Sequence, residues 1–314
     1  EKATAAFTAR FWAVKVAATE REALRPEPED LSPTQEEVNA ACSDMPQHEE
    51  IIASLTQLSK DKACGWDMVS ARLLNLEEVR QELVLLVQQV WAEGTLPAEM
   101  VQGVLVMLHK GSGKSTTELG NYRPVILLPH AFKCYTNLIM RRMVTALVVV
   151  GEQNVKRKVF KGEIVNGKVA GEGLTDTNRG FVAKRSTADC LASLQMAMST
   201  VLSADRTATL AFLDAAGAFD ASSHKFIDEA LKRAFGDCLV DDAEAAKEVD
   251  FAGRKLRRLV RDIYGKAADR AQVRRADGFT EVSDVVQRFR GSMQGDCLSP
   301  LIFLVVLAAV LNEC

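Results

Sequence analysis

Thr209-Leu-Ala-Phe-Leu-Asp-Ala-Ala-Gly-Ala-Phe-Asp220 is the stretch that decides how the fold is interpreted. Four consecutive apolar residues, Leu210 to Leu213, lead to Asp214, and small residues follow it. An apolar run of this length predicts a strand buried on both faces. The small residues would let backbone atoms approach a ligand closely. The stretch therefore predicts a buried strand that ends in a metal ligand, although a lone Asp after a strand can also be an ordinary turn or cap residue.

Three further blocks flank this stretch. Asn121-Tyr-Arg-Pro-Val125 and Gly180-Phe-Val-Ala-Lys-Arg-Ser-Thr-Ala-Asp189 precede it, and Gly291-Ser-Met-Gln-Gly-Asp-Cys-Leu-Ser-Pro-Leu-Ile-Phe303 follows it. In this order the blocks resemble the reverse transcriptases of non-long-terminal-repeat (LINE-type) retrotransposons, and more distantly those of group II introns and telomerase. The resemblance runs from about Lys62 to Cys314, and blocks in a fixed order are more specific than any one of them.

The resemblance implies an α+β fold: the fingers and part of the palm of a right-hand polymerase, helix-rich with small antiparallel sheets and without a thumb. It divides the chain into a helical N-terminal extension (1–60), fingers with the first palm helices and a basic face (61–205), and a partial palm (206–314). Within the last part we expect a fingers hairpin at 270–290 and a palm helix at 298–313.

The resemblance also implies roles for individual residues. Asp214 matches the first catalytic aspartate and would hold Mg²⁺ together with the Ala215 carbonyl, while Phe219 matches the bulky residue that excludes a ribose 2′-hydroxyl. The expected nucleotide-binding residues are Lys110, Arg123, Ala215, Gly217, Ala218, Phe219, Gln294 and Gly295. Separately from the resemblance, charge predicts contacts to phosphates from one face of the helix that begins at His130 and from the cations just before the Ser186 cap. The expected nucleic-acid-binding residues are therefore Lys133, Arg142, Lys184 and Arg185.

The segment from Gly103 to Leu128 predicts a hairpin of two strands with a polar turn at 111–120. Lys110 and Arg123 would then face each other, and a Lys point charge beside an Arg fork suits a triphosphate. The alternative interpretation is that Lys110 and Arg123 are solvated surface charges on a hairpin and bind no ligand. Gly111-Ser-Gly-Lys-Ser-Thr116 is also most of a phosphate-binding P-loop, but Leu108 stands where that motif needs its first Gly, and Pro124 prevents a long helix afterwards.

Local signals predict other elements. Glu77 to Glu93 forms a helix closed by Gly94, and its apolar face is Val79, Leu83, Leu86, Val87 and Val90. A second helix runs from His130 to Val150, ended by Gly151, and a third from Thr187 to about Ser203 with Ser186 as its cap. Two-residue turns at Asn166-Gly167 and Asp277-Gly278 predict hairpins.

The composition is that of an ordinary globular protein: 314 residues, 47% hydrophobic and 26% charged. Seven cysteines without a CxxC pair suggest neither a zinc site nor a disulfide framework, and no apolar run approaches the roughly 20 residues that span a bilayer. The net charge of −3 divides into −9 for 1–100, +9 for 101–186 and −3 for 187–314. The basic middle predicts a surface that meets phosphates, with a solvated helical face as the alternative.

The sequence contains no Tyr/Phe-x-Asp-Asp, which supplies the other two carboxylates in the family, and Asp241-Asp242 is its only Asp pair. Asp220 is expected to turn into the next helix and not to replace them. We therefore predict that the chain is an amino-terminal fragment of a reverse transcriptase, either from a truncated element or from a longer protein. We also predict that residues 1–314 alone have no polymerase activity.

The expected partners are an RNA template, a DNA primer and a deoxynucleoside triphosphate, with Mg²⁺ as cofactor and no membrane. An endonuclease domain is expected elsewhere in the parent protein, and an intracellular location, nuclear for a eukaryotic retroelement. Two other classes stay open: an RNA-binding module without chemistry, and a P-loop nucleotide hydrolase that depends on Lys114.

Overall fold

The structure of the chain is a computed structural model. It describes residues 44–111, 113–153, 161–165, 168–172, 180–181, 186–212, 218–235, 251–274 and 280–313. Most of the predicted N-terminal extension lies outside these ranges, and so do five of the predicted site residues: Lys184, Arg185, Asp214, Ala215 and Gly217.

Helices make up most of the described chain. In chain order they are α1 (His48–Thr56), α2 (Ala71–Leu74), α3 (Glu77–Glu93), α4 (Ala98–Val101), α5 (His130–Gln153), α6 (Thr187–Ser203), α7 (Ala218–Ala221), α8 (His224–Phe235), α9 (Phe251–Lys266) and α10 (Ser299–Glu313). The strands are β1 (Gln102–His109), β2 (Tyr122–Leu127), β3 (Lys161–Val165), β4 (Lys168–Glu172), β5 (Ala268–Arg274), β6 (Thr280–Val282) and β7 (Val286–Gln287). This is the α+β class that the sequence predicted.

Helix α3 has the predicted bounds but a slightly rotated buried face. It ends at Gly94, which has a φ of 71° and donates its backbone N–H to the Val90 carbonyl at 3.0 Å. The buried residues are Leu83, Val84, Val87, Val90 and Trp91. Leu86 is exposed, contrary to its predicted place on the apolar face, because Val84 and Trp91 occupy the side that packs against the core.

Helix α5 is the centre of the main hydrophobic core. It begins at His130 as predicted but runs past Gly151 to Gln153. Its first four turns bury Phe132, Tyr135, Leu138 and Ile139 among residues of α1, α3, α8, α9 and α10. Because burial of one such side chain contributes about 1.5–3 kcal/mol, α5 is the element that holds the surrounding helices together.

Buried ion pairs connect the helices around this core. The guanidinium of Arg257 in α9 is 1% exposed and donates to both carboxylate oxygens of Asp228 in α8, each at 2.8 Å. The same Asp228 carboxylate lies 3.7 Å from Arg261, and these guanidinium groups hold the pKa of Asp228 below its ordinary value. The bidentate pair fixes how α8 packs on α9.

One five-stranded sheet lies beside the helices. Its order is β2-β1-β5-β6, with β7 on β5. Strands β1 and β2 are antiparallel, with Leu108 opposite Arg123, whereas β1 and β5 are parallel, with Gln102 opposite Ala268. The sheet is therefore mixed, whereas the resemblance implied small antiparallel sheets. Strand β2 forms one edge, and its outer side is open to other parts of the chain.

The strands on either side of both predicted two-residue turns are paired, while the turn residues 166–167 and 277–278 lie outside the described ranges. Strand β5 pairs antiparallel with β6, with Arg274 opposite Thr280, and β3 pairs with β4, with Val165 opposite Lys168. The β3–β4 hairpin lies in a polar stretch between α5 and α6. Helix α6 has the predicted bounds and its predicted cap, since the Ser186 backbone N–H donates to the Asp189 carboxylate at 2.6 Å.

The strand predicted for Leu210 to Leu213 is not formed in the part of it that the structure describes. Residues 206–212 have no regular structure, and the side chains of Leu210 and Phe212 are 46% and 85% exposed. A strand buried on both faces requires partner strands and covering elements, and none of the described strands pairs with this segment. The expectation of a buried strand was therefore wrong for residues 210–212.

Candidate functional site

The Gln294–Gly295 turn is attached to the open edge of β2. The backbone N–H of Ile126 donates to the Gln294 carbonyl at 3.0 Å. Gly295 has a φ of 114°, and a Cβ at this position would lie 2.5 Å from the Ile126 carbonyl oxygen. Only glycine therefore allows this approach of the two backbones. Gly295 is itself exposed and Gln294 is half-buried, so the turn can be reached from solvent.

A similar close approach places a third part of the chain against the end of β2. A Cβ on Gly65 would lie 2.5 Å from the backbone nitrogen of Pro129. The His130 ring, through Nδ1, is 3.0 Å from the Val69 carbonyl oxygen. The segment from 126 to 130 is therefore held between the turn at Gly65 and the turn at Gly295.

Helix α7, which follows the Asp214 segment, is bonded to the same turn. The backbone N–H of Ser292 donates to the Phe219 carbonyl at 2.8 Å, and that of Gly291 donates to the Ser222 carbonyl at 2.7 Å. The Gln294 side-chain amide donates through Nε2 to Asp220 Oδ2 at 3.0 Å. The structure thus brings together three predicted site residues, Phe219, Gln294 and Gly295, and the backbone of Ala218 begins the same helix.

Asp220 belongs to a charged group that the sequence did not reveal. Arg288 donates to Asp269 Oδ2 from Nε at 2.9 Å and from Nη2 at 2.5 Å, and its Nη1 lies 3.9 Å from Asp220. Burial raises the pKa of Asp220, Arg288 opposes that shift, and the nearby Asp269 carboxylate adds to it. Asp269 and Arg288 lie on β5 and just after β7, and no local pattern in the sequence marks either as part of a site.

The ring of Phe219 packs in an aromatic cluster. It stacks on Phe303 of α10 with centroids 4.9 Å apart and an interplanar angle of 21°. Phe181 meets the rings of Phe219 and Phe303 edge-on, at 5.4 Å and 6.1 Å. These contacts fix the ring of the residue predicted to sense a ribose 2′-position.

The cations of the β1–β2 hairpin lie further along the same edge strand. Arg123 is opposite Leu108, and Lys110 lies two pairs further on, where its backbone N–H donates to the Asn121 carbonyl. Lys110 and Arg123 are therefore diagonal neighbours on one face of the hairpin. The prediction that they lie directly opposite each other was wrong. Both are exposed, and Lys110 Nζ donates to the Gly120 carbonyl at 2.8 Å. Arg123 is three residues from Ile126, roughly 10 Å along the strand.

The turn of this hairpin does not have the geometry of a P-loop. Among the described residues 113–127, turns at 113 and 116–117 and a short 3₁₀ helix (Leu119–Asn121) lead directly into β2. Asn121 and Tyr122 fix the turn by donating side-chain hydrogen bonds to the Ser115 and Thr116 carbonyls. A P-loop binds phosphate at the start of a helix, and this part of the chain has no helix there.

The predicted nucleic-acid-binding residues differ in exposure. Lys133 is half-buried on α5, and burial lowers its pKa. Arg142 is 4% exposed: it donates to both Glu50 carboxylate oxygens at 2.7 Å and 2.6 Å and lies 4.4 Å from the centroid of the Trp91 ring. In this structure Arg142 stabilises the packing of α1, α3 and α5 and does not offer its guanidinium to a ligand in solvent.

Asp296 attaches the Gln294–Gly295 turn to α5. Its Oδ1 accepts a hydrogen bond from the Thr136 hydroxyl at 2.5 Å, and the Ser299 hydroxyl donates to the Met293 carbonyl at 2.8 Å. Burial raises the pKa of Asp296 from an ordinary value of 3.8 to about 6, against the opposing effect of the Thr136 hydrogen bond. The turn is therefore bonded on one side to β2 and on the other to the central helix.

Within the described ranges, no group of three or more His, Cys, Asp or Glu residues could hold a metal ion. The predicted Mg²⁺ ligands Asp214 and Ala215 lie outside the described part. None of the described helices has the length and apolar character that crossing a bilayer requires.

No model of a known protein family matches the chain. The chain is 32% identical over 99 residues to the RNA-directed DNA polymerase from mobile element jockey of Drosophila melanogaster. The aligned stretch is 31% of this chain and 11% of the jockey protein, so it spans about a tenth of that relative's length. This similarity supports a reverse-transcriptase-like origin for the chain.

Proposed function

We propose that the chain is the fingers and partial palm of an RNA-directed DNA polymerase of a LINE-type retrotransposon, and that it binds a deoxynucleoside triphosphate beside the Gln294–Gly295 turn. The observation that carries the proposal is the attachment of this turn to the open edge of β2, with Phe219 and Asp220 bonded to it from another side. The similarity to the jockey polymerase supports the same class.

In this proposal the triphosphate lies along the edge strand. Arg123 and Lys110 are exposed cations on one face of the hairpin; Arg123 lies roughly 10 Å from the turn along the strand, and Lys110, level with Asn121, lies further from it. An Arg fork and a Lys point charge suit phosphate oxygens. The base and sugar would then lie towards Gln294, Gly295 and Phe219, while Asp214 and the Ala215 carbonyl are proposed as ligands of the Mg²⁺ that stabilises charge on the phosphates.

A nucleotide-binding measurement tests the site. Binding of a fluorescent deoxynucleoside triphosphate with Mg²⁺ is measured by anisotropy for the unmodified chain and for Lys110→Met, Arg123→Met and Lys114→Met. The proposal predicts a roughly tenfold weaker affinity for the first two variants, since a hydrogen bond to a charged group contributes about 1.5–3 kcal/mol. Lys114→Met is the matched control on the same loop, and loss of binding in that variant alone would instead support a P-loop hydrolase.

Catalysis is a separate question. The sequence supplies Asp214 but no Tyr/Phe-x-Asp-Asp, and two-metal transfer needs several carboxylates at one place. We expect no primer extension from residues 1–314 on an RNA template with Mg²⁺ and all four deoxynucleotides. Robust extension by this chain would contradict the expectation.

A second candidate function is RNA binding without chemistry. The charge of +9 over residues 101–186 favours it, because clustered cations bind phosphates regardless of sequence. This candidate predicts RNA binding that falls steeply with salt, is unchanged in Asp214→Asn and occurs without any affinity for deoxynucleotides. Nucleotide binding that depends on Arg123 would exclude it as the whole function.

A further inference from the structure

The Gln294 side chain has a defined partner on a separate element. Its Nε2 donates to Asp220 Oδ2 at 3.0 Å. Two backbone hydrogen bonds, from Ser292 to Phe219 and from Gly291 to Ser222, hold the two segments together on either side of this contact. A Cβ on Gly291 would lie only 2.9 Å from the Asp220 Cα, so the two backbones pass too close to each other to admit a side chain at 291. The contact is thus fixed by the fold and not by the two side chains alone.

Two charged side chains, Arg288 and Asp269, lie beside the Asp220 carboxylate that accepts this hydrogen bond. Arg288 is fixed by its two hydrogen bonds to Asp269, and its Nη1 lies 3.9 Å from the Asp220 carboxylate. The side chains of Arg288 and Asp269 are each only 13% exposed. Burial raises the pKa of Asp220, the Arg288 guanidinium opposes this shift by stabilising the ionised carboxylate, and the Asp269 carboxylate adds to it. In its ionised form the Asp220 carboxylate can only accept hydrogen bonds.

This arrangement determines which way the Gln294 amide points. An amide carries two donors on nitrogen and an acceptor on oxygen, and a carboxylate beside it attracts the nitrogen and repels the oxygen. With Nε2 directed to Asp220, Oε1 is directed away from α7. Gln294 therefore presents an acceptor, together with its second N–H, on the remaining side.

We propose that Asp220 is a positioning residue for the nucleotide site: its carboxylate orients the Gln294 amide so that Gln294 can bind the nucleotide. The inference rests on the proposed function, since it assumes that Gln294 contacts the ligand. It assigns to Asp220 a role other than metal binding, and it makes Arg288 and Asp269 the residues that support that role.

A double-mutant cycle tests the inference. The affinity for a fluorescent deoxynucleoside triphosphate with Mg²⁺ is measured for the unmodified chain, Asp220→Ala, Gln294→Met and the double variant. We expect each single variant to bind about tenfold more weakly and the double variant no more weakly than Gln294→Met, because Asp220 acts only through Gln294. Asp220→Asn, whose amide oxygen can still accept from Nε2, is expected to recover part of the loss.

Two controls separate positioning from general damage. Asp284→Ala removes an exposed carboxylate in the same part of the chain and is expected to leave affinity unchanged. Thermal melting monitors the fold of each variant, and only variants that melt as the unmodified chain does enter the cycle. If Asp220→Ala fails this criterion, Asp220→Asn replaces it in the cycle, with a smaller expected loss and a correspondingly smaller coupling.

The outcomes distinguish this inference from the proposed function. Binding that is lost in Gln294→Met but unchanged in Asp220→Ala overturns the positioning role and leaves the nucleotide site standing. Losses from the two substitutions that add in the double variant also overturn it, since they would show that Asp220 acts independently. An unmodified chain without affinity for the nucleotide overturns both the site and the inference.

Discussion

Gly295→Ala should destabilise the protein more than a comparable substitution elsewhere. The new methyl group would lie 2.5 Å from the Ile126 carbonyl oxygen, and the φ of 114° is one that an L side chain rarely adopts. Backbone strain of this kind costs about 1–3 kcal/mol, and overpacking adds about 1–3 kcal/mol. The hydrogen bond from the Ile126 N–H to the Gln294 carbonyl would also be stretched. We therefore expect a loss of about 2–5 kcal/mol in the free energy of unfolding.

Gly94→Ala is the matched control. Gly94 also has a positive φ, of 71°, but nothing lies within 4 Å of the position that its Cβ would take. Only the left-handed conformation is then penalised, by about 1–2 kcal/mol. Urea unfolding followed by circular dichroism gives the midpoint and slope for each variant. If Gly295→Ala unfolds at the same urea concentration as Gly94→Ala, the close contact between the turn and β2 does not exist.

Three other predictions concern stability. Arg142→Met should cost about 3–5 kcal/mol in urea unfolding, because it leaves Glu50 unpaired, whereas Arg72→Met, in an exposed pair, should cost less than about 1 kcal/mol. The raised pKa of Asp296 contributes stability that is complete below about pH 4 and is lost as pH rises through about 6. The difference in urea midpoint between the unmodified chain and Asp296→Asn should therefore decrease from about pH 4 to about pH 7 and stay constant above that. Ser186→Ala should speed amide hydrogen exchange in α6 by about fivefold, equivalent to ~1 kcal/mol, without changing the global midpoint.

Signals confined to a few residues predicted local structure well. The Ser186 cap, the end of α3 at Gly94 and the hairpins at 165–168 and 274–280 were each found where the sequence placed them. Each depends on the conformational preference of one or two residues, which the rest of the fold does not need to supply.

Features that depend on distant partners were not predictable. The parallel pairing of β1 with β5 joins residues 102 and 268, and no periodicity in either strand indicates it. The contact between Asp220 and Gln294 likewise joins separate segments. Arg142 was expected to face a ligand because it is charged, but its guanidinium instead donates to the Glu50 carboxylate and lies over the Trp91 ring. The prediction of a buried strand at 210–212 was wrong because a buried strand needs partner strands, and none of the described strands pairs with this segment.

The parallel pairing of β1 with β5 has a consequence for synthesis on the ribosome. The β1–β2 hairpin can close once Leu127 has emerged, but the other edge of β1 finds no partner until Ala268 is made. At about 5–20 residues per second this interval lasts roughly 10–30 s. During it, β1 presents unpaired N–H and C=O groups that can pair with other nascent chains. Expression at low temperature or with chaperones should therefore raise the soluble yield.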